Sequence, residues 1–291
     1  MTEKAFELDA LLSKYSSKPK KDAKPRLIML YSRPGGGKTK LAGTAIDLPN
    51  VKKGIYFDTE GSTEGVITDD RWDVIHVNEY PNAEQIEHIA SSRGIDVSEV
   101  DPKEERFIFL SQLLGVQYHR NMPASPKGMF HNANRTSYDV IVVDTLDIAQ
   151  DWAQDYYLDG AGAIITRNGE TDTRAGWRNV AKWSEAVANG LNDHPSLGVL
   201  VVHNKESQLD SGAIVNGIRL SGSAKDTLPG IPGLVLYLER KVEDGVPAVY
   251  ATTGTDNRKV TKDRFNLPIE MKNPTIPALF KYIDDKAGVK K

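Results

Sequence analysis

Short apolar runs recur between residues 27 and 203, at 27–31, 54–58, 73–77, 138–144 and 197–203, built of Ile, Val, Leu and Tyr and in several cases apolar on both faces of a pleat. Strands of that kind belong in a parallel sheet covered by helices. Segments with helical spacing follow the runs, at 38–45, 83–92, 104–118, 148–158 and 178–192. The alternation predicts an α/β domain with a doubly wound, mostly parallel central sheet and helices on both faces. From residue 233 the pattern changes: 233–240, 246–253 and 258–261 follow one another across turns as short as Glu243-Asp244-Gly245, which predicts antiparallel strands at the C-terminal edge.

This reading divides the chain into residues 1–26, an amphipathic helix (Phe6, Leu8, Leu11, Leu12, Tyr15) on a lysine-rich flexible tether; 27–270, the α/β domain; and 271–291, a helical tail. Within the domain, 73–137 is an elaboration broken by Pro102, Pro123 and Pro126, with no purpose legible in it. The stretches 159–176 and 205–233 are Gly-rich, polar and aperiodic, and loops of that length in a domain are usually functional or mobile.

The chemistry is concentrated after the first strand. Ser32, Arg33, Pro34, Gly35, Gly36, Gly37, Lys38, Thr39 and Lys40 stand between a strand and a helix, the setting of a phosphate-binding P-loop. Glycines let the backbone curl around an anion, Lys38 reaches the β- and γ-phosphates of ATP, and the Thr39 hydroxyl coordinates Mg²⁺. Ser32 takes the place usually held by Gly or Ala, which narrows the loop. Residues 138–144 end in Asp144, a carboxylate suited to hold hydrated Mg²⁺. Glu60, just past the 54–58 strand, would face a γ-phosphate if that strand neighbours the P-loop strand, and is the candidate base for the attacking water; Glu64 is its rival, and a turn-capping role its structural alternative.

Charge and composition narrow the partners. With 37 Lys and Arg against 40 Asp and Glu, the net charge is −3, so any polyanion contact must be local. The absence of cysteine excludes disulfides, thiolate metal sites and a cysteine nucleophile. Apolar runs far shorter than the roughly 18 residues of a membrane span, and no signal-peptide core, lead to the expectation of a cytoplasmic protein with no membrane contact.

The segment from Tyr56 to Gly61 closely resembles the part of RecA-type recombinases that carries their catalytic glutamate, and it follows the P-loop at a similar interval. The resemblance implies a RecA-like ATPase core rather than a kinase or GTPase. Residues 198–203 resemble the strand after Walker B in the same class, which places His203 where relatives carry a γ-phosphate sensor; a local hydrogen-bonding role is the alternative. Residues 253–268, with Lys262, Arg264, Leu267 and Pro268, resemble the end of phage AAA-type nucleotide-binding proteins, including the Sak-type single-strand annealing proteins. That likeness implies a homo-oligomeric ring or filament with ATP at the subunit interfaces, where Lys262 and Arg264 act in trans. The RecA-type resemblance also implies single-stranded DNA gripped by the two long loops through Arg167, Arg174, Lys205, Arg219 and Lys225, with a single-strand-binding protein as a further partner. Tyr156, Tyr157 and Trp177, at the loop borders, either stack on bases or belong to the core. The function so implied is ATP-driven annealing or strand pairing in recombination. A DNA-independent switch or assembly ATPase and a helicase-like motor or loader are the alternatives.

Overall fold

A computed structural model describes residues 24–119, 125–131, 137–254 and 258–288. The N-terminal amphipathic segment and most of the basic tether lie outside them. In chain order the strands are β1 (Leu27–Ser32), β2 (Gly54–Asp58), β3 (Trp72–His76), β4 (Val140–Asp144), β5 (Leu197–Gln208), β6 (Ile214–Ile218), β7 (Leu234–Glu243), β8 (Val246–Thr252), β9 (Lys262–Asp263) and β10 (Glu270–Lys272). The helices are α1 (Lys38–Gly43), α2 (Ala83–Arg93), α3 (Pro102–Leu114), α4 (Leu146–Gln154), α5 (Thr173–Asp193), α6 (Ala224–Thr227) and α7 (Ile276–Ala287).

The main sheet runs β10-β8-β7-β1-β5-β4-β2-β3. Every pair from β7 through β1, β5, β4 and β2 to β3 is parallel, while β8 and β10 run antiparallel at the C-terminal edge. This is the RecA-like α/β arrangement expected from the sequence. All residues of β1, β2 and β4 are buried, as strands apolar on both faces require.

The period-2 alternation of β1 divides its side chains between two cores. Leu27, Met29 and Tyr31 pack with Phe107 and Leu110 of α3, Trp152 of α4, and Val180, Trp183 and Val187 of α5. Ile28 and Leu30 pack with Leu41 of α1 and with Ile276, Leu279 and Ile283 of α7. Among the described residues no helix is long and apolar enough to cross a membrane.

Five features depart from the sequence reading. The 54–58 strand does not neighbour the P-loop strand, because β5 and β4 stand between β1 and β2. The stretch 205–233 is not a structureless loop: β5 continues to Gln208 and pairs antiparallel with β6, and α6 follows. The end of β5 hides that hairpin, because Lys205–Gln208 are polar and exposed on both faces and impose no alternation, and β6 is interrupted by Asn216 and Gly217. The stretch 159–176 is also shorter than expected, since Asp172 caps α5 through the Ala175 N–H at 3.0 Å and the helix begins at Thr173. Residues 258–261 contribute only a bridge from Lys259 to Asn216, and the short strand falls at β9 instead. The 104–118 segment stops as a helix at Leu114, where Gly115 adopts φ 77° as its C-cap.

Candidate active site

β1 delivers the chain to the P-loop at Ser32, which is fully buried. Gly35 and Gly37 take φ of 74° and 92°, the left-handed region that glycine enters without strain. The loop closes with the Gly36 N–H on Arg33 O at 3.1 Å, and Gly37 caps α1 with no side-chain acceptor. Ser32 Oγ donates to Arg33 O at 2.7 Å, and its side chain abuts Gly36, where a Cβ would collide with it. The Lys38 ammonium, nearly buried, is held by the carbonyls of Ser32 and Arg33, each at 3.4 Å. Burial pulls its pKa below the usual lysine range, against the charges of Asp144, Glu60 and Asp147. Arg33 points elsewhere, pairing with Glu206 on the extension of β5.

β4 ends at Asp144, 1% exposed. Its Oδ2 accepts from the Thr39 hydroxyl at 2.7 Å and from the Tyr56 hydroxyl at 2.5 Å, while Oδ1 is buried with no partner. Burial raises the Asp144 pKa, and hydrogen bonds from Tyr56 and Thr39 work against it. A buried carboxylate oxygen without a donor, next to a threonine hydroxyl at the start of a helix, fits a hydrated Mg²⁺. Among the described residues no cluster of three or more His, Asp or Glu side chains is placed to hold a metal by itself. A site completed by water and phosphate oxygens has that form.

Glu60 is positioned by Asp58, the last residue of β2. The fully buried Asp58 carboxylate gathers the turn that follows: Oδ1 accepts the N–H groups of Glu60, Gly61 and Ser62 at 3.0, 2.8 and 3.2 Å. Its Oδ2 accepts the Thr63 N–H at 3.1 Å and the Thr63 hydroxyl at 2.6 Å. Burial alone would raise the Asp58 pKa, but these donors together hold it below the usual carboxylate range. The turn is tied across β4 by the Thr59 N–H on Asp144 O at 2.8 Å. Glu60 thereby reaches the P-loop although β5 and β4 separate β2 from β1 in the sheet order.

Glu60 Oε1 is 3.4 Å from His203 Nε2, and His203 Nδ1 is 2.9 Å from Asp147 Oδ2. Burial raises the Glu60 pKa; the His203 and Lys38 charges oppose the rise, and Asp144 and Asp147 add to it. P-loop, Glu60, Ser62, His203, Asn204 and Arg219 line one cavity of about 660 Å³. Glu64 is exposed and does not line it.

The remaining expected residues separate. Arg219 lines this cavity, and its side chain, 45% exposed, pairs with Asp147 at 3.1 Å and Asp151 at 2.9 Å. Arg167, Arg174, Lys205 and Lys225 are exposed and carry no ion pair among the described residues. Tyr156 and Tyr157 are core residues against Phe107, whereas Trp177 is 37% exposed. Lys262 pairs with Val235 at the start of β7, the end of the strands away from the P-loop, and its ammonium bonds Gly230 O. Neither Lys262 nor the exposed Arg264 lines its own chain's cavity.

Tyr56, Asp58, Ser62 and Asp147 were not singled out from the sequence. Asp147 carried a usable signal, one helical turn beyond Asp144 and therefore at the same end of β4.

A family model described as an AAA domain matches residues 24–265. No curated protein matches the sequence. Among solved structures the chain is similar to the flagellar accessory protein FlaH from Methanocaldococcus jannaschii, at 9% identity over 84% of this chain and 83% of that one, with a TM-score of 0.42. It is similar to the RadB recombinase at 15% identity over 85% and 86% of the two chains (TM-score 0.34). A KaiC-like protein from Pyrococcus horikoshii OT3 matches at 12% identity over 84% and 83% (TM-score 0.37). The strand order and register above define the fold.

Proposed function

The chain belongs to the AAA domain family, and from that premise we propose that it is a Mg²⁺-dependent ATPase that assembles as a homo-oligomer on single-stranded DNA and promotes annealing or strand pairing in recombination. The observation that carries the ATPase reading is the convergence of Lys38, Thr39 and Glu60 on one cavity, with Asp144 buried behind Thr39 at 2.7 Å and one of its oxygens lacking a donor.

In this reading Lys38 leaves the Ser32 and Arg33 carbonyls for the β- and γ-phosphates, and the P-loop N–H groups orient them. Thr39 and Asp144 hold hydrated Mg²⁺, which neutralises phosphate charge. Glu60 takes a proton from the attacking water, and its burial-raised pKa makes it a better base than an exposed carboxylate. Lys262 and Arg264 reach the ATP of the adjacent subunit, and Arg167, Arg174, Lys205 and Lys225 contact DNA phosphates.

The sequence likeness of residues 253–268 to phage annealing proteins supports the DNA role, as do the four unpaired cations. A DNA-independent switch is favoured by the net charge of −3 and by the engagement of Arg219 with Asp147 and Asp151 beside the cavity. The steady-state ATPase rate with and without oligo-dT, at two salt concentrations, decides between them. Stimulation that weakens with salt supports annealing on DNA; a rate indifferent to DNA supports the switch.

A further inference from the structure

Asp147 was given no role in binding or hydrolysis, yet it is 1% exposed and fully engaged beside the cavity. Its Oδ1 accepts the His203 backbone N–H at 2.9 Å, and its Oδ2 lies 2.9 Å from His203 Nδ1 and 3.1 Å from Arg219 Nη1. Two fixed points, one on the backbone and one on the ring, leave the imidazole a single orientation. In that orientation Nε2 faces Glu60 Oε1 at 3.4 Å. A carboxylate acceptor at Nδ1 selects the tautomer with its proton there, so Nε2 carries the lone pair. Two acceptors facing each other have a use when a proton arrives between them.

We propose that Asp147, His203 and Glu60 form a proton relay for nucleotide hydrolysis, in which Asp147 is a positioning residue that presents His203 Nε2 as the acceptor of the proton Glu60 removes from water. The inference rests on the ATPase reading above. One O–H bond of water breaks and its proton goes to Glu60, while the water oxygen bonds the γ-phosphorus. The bond from that phosphorus to the bridging oxygen breaks, and its electron pair stays on ADP. The Glu60 O–H then breaks as an N–H forms at Nε2, and the imidazolium later releases the proton to solvent. Glu60 is thus restored to its basic form. Arg219 compensates the buried Asp147 charge from the other side. The charged groups around the ring come from three places, Glu60 after β2, Asp147 on α4 and Arg219 after β6, and Lys38 on α1 acts on Glu60 within the same cavity.

The test begins with the tautomer, read from ¹⁵N shifts of the histidine rings in the full chain without nucleotide, at pH about 8 so that ordinary histidines are neutral. His203→Gln assigns the resonance. The relay predicts Nδ1–H in the wild type and loss of that preference in Asp147→Asn. The same variant loses about 100-fold in kcat with the KM for ATP within about threefold, and Asp147→Asn/His203→Gln falls no further than either single change. An Nε2–H tautomer in the wild type overturns the proposal, with no variant required to fold. So does a kcat for Asp147→Asn within about threefold of wild type, or an additive double variant. If the wild type does not turn ATP over, the proposed function fails while the tautomer measurement still decides the geometry of the ring.

Discussion

Replacing Asp58 by Asn tests whether the Glu60 turn is held by one buried carboxylate. Asparagine keeps Oδ1 as acceptor for the N–H groups of Glu60, Gly61 and Ser62, but puts an amide donor where Oδ2 accepts from Thr63 N at 3.1 Å and Thr63 Oγ1 at 2.6 Å. The threonine hydroxyl can rotate to accept; the Thr63 N–H cannot and is stranded in a site with no exposure. A stranded buried donor costs about 1–3 kcal/mol, and loss of charge assistance on the other three bonds adds to it, so about 2–4 kcal/mol is expected. At about 2–4 °C per kcal/mol for chains of this order, the melting temperature falls by roughly 5–15 °C. The sign with pH is fixed by the depressed Asp58 pKa. Its stabilisation is complete above the unfolded carboxylate value of about 3.9 and is lost as pH falls through the lower folded value. Urea unfolding of both proteins therefore shows a gap that is widest near neutral pH and closes in acid. A gap below about 0.5 kcal/mol, or one unchanged by acid, refutes the argument.

Glu60→Gln retains nucleotide binding and loses about 100-fold or more in turnover, checked by fluorescent-nucleotide titration beside phosphate release; wild-type turnover would move the base to Glu64 or elsewhere. Gly36→Ala meets the Ser32 side chain and weakens nucleotide binding, and adding Ser32→Ala partly restores it. Arg174→Ala/Lys225→Ala lowers oligo-dT affinity and reduces the slope of log K against log salt by up to about 2, whereas Arg219→Ala leaves that slope unchanged.

The parts of the site legible in the sequence are those set by local rules. Lys38 and Thr39 announce themselves because a glycine-rich strand-to-helix turn has few other uses, and Asp144 because four aliphatic residues bury the strand it ends. Glu60 was found for a reason the sheet order corrects: its strand is separated from β1 by β4 and β5, and it reaches the phosphates because Asp58 curls the turn back. Such a cage is set by one carboxylate and five donors drawn from four residues, and no periodicity records it. Arg219 reads as a loop cation in the sequence because the polar, exposed end of β5 and Asn216-Gly217 within β6 leave the hairpin before it without an alternation. His203 was placed near the γ-phosphate by resemblance; its pairing with Asp147 required the helix after β4 to pack beside β5, a tertiary fact.

The most direct measurement is phosphate release from ATP by the wild type and by Lys38→Ala, with oligo-dT present throughout, in Mg²⁺ and again with the metal chelated. The account predicts turnover by the wild type in Mg²⁺ alone, with Lys38→Ala neither binding nucleotide nor releasing phosphate. Turnover that survives either the substitution or the chelator, or ATP affinity unchanged in Lys38→Ala, contradicts it.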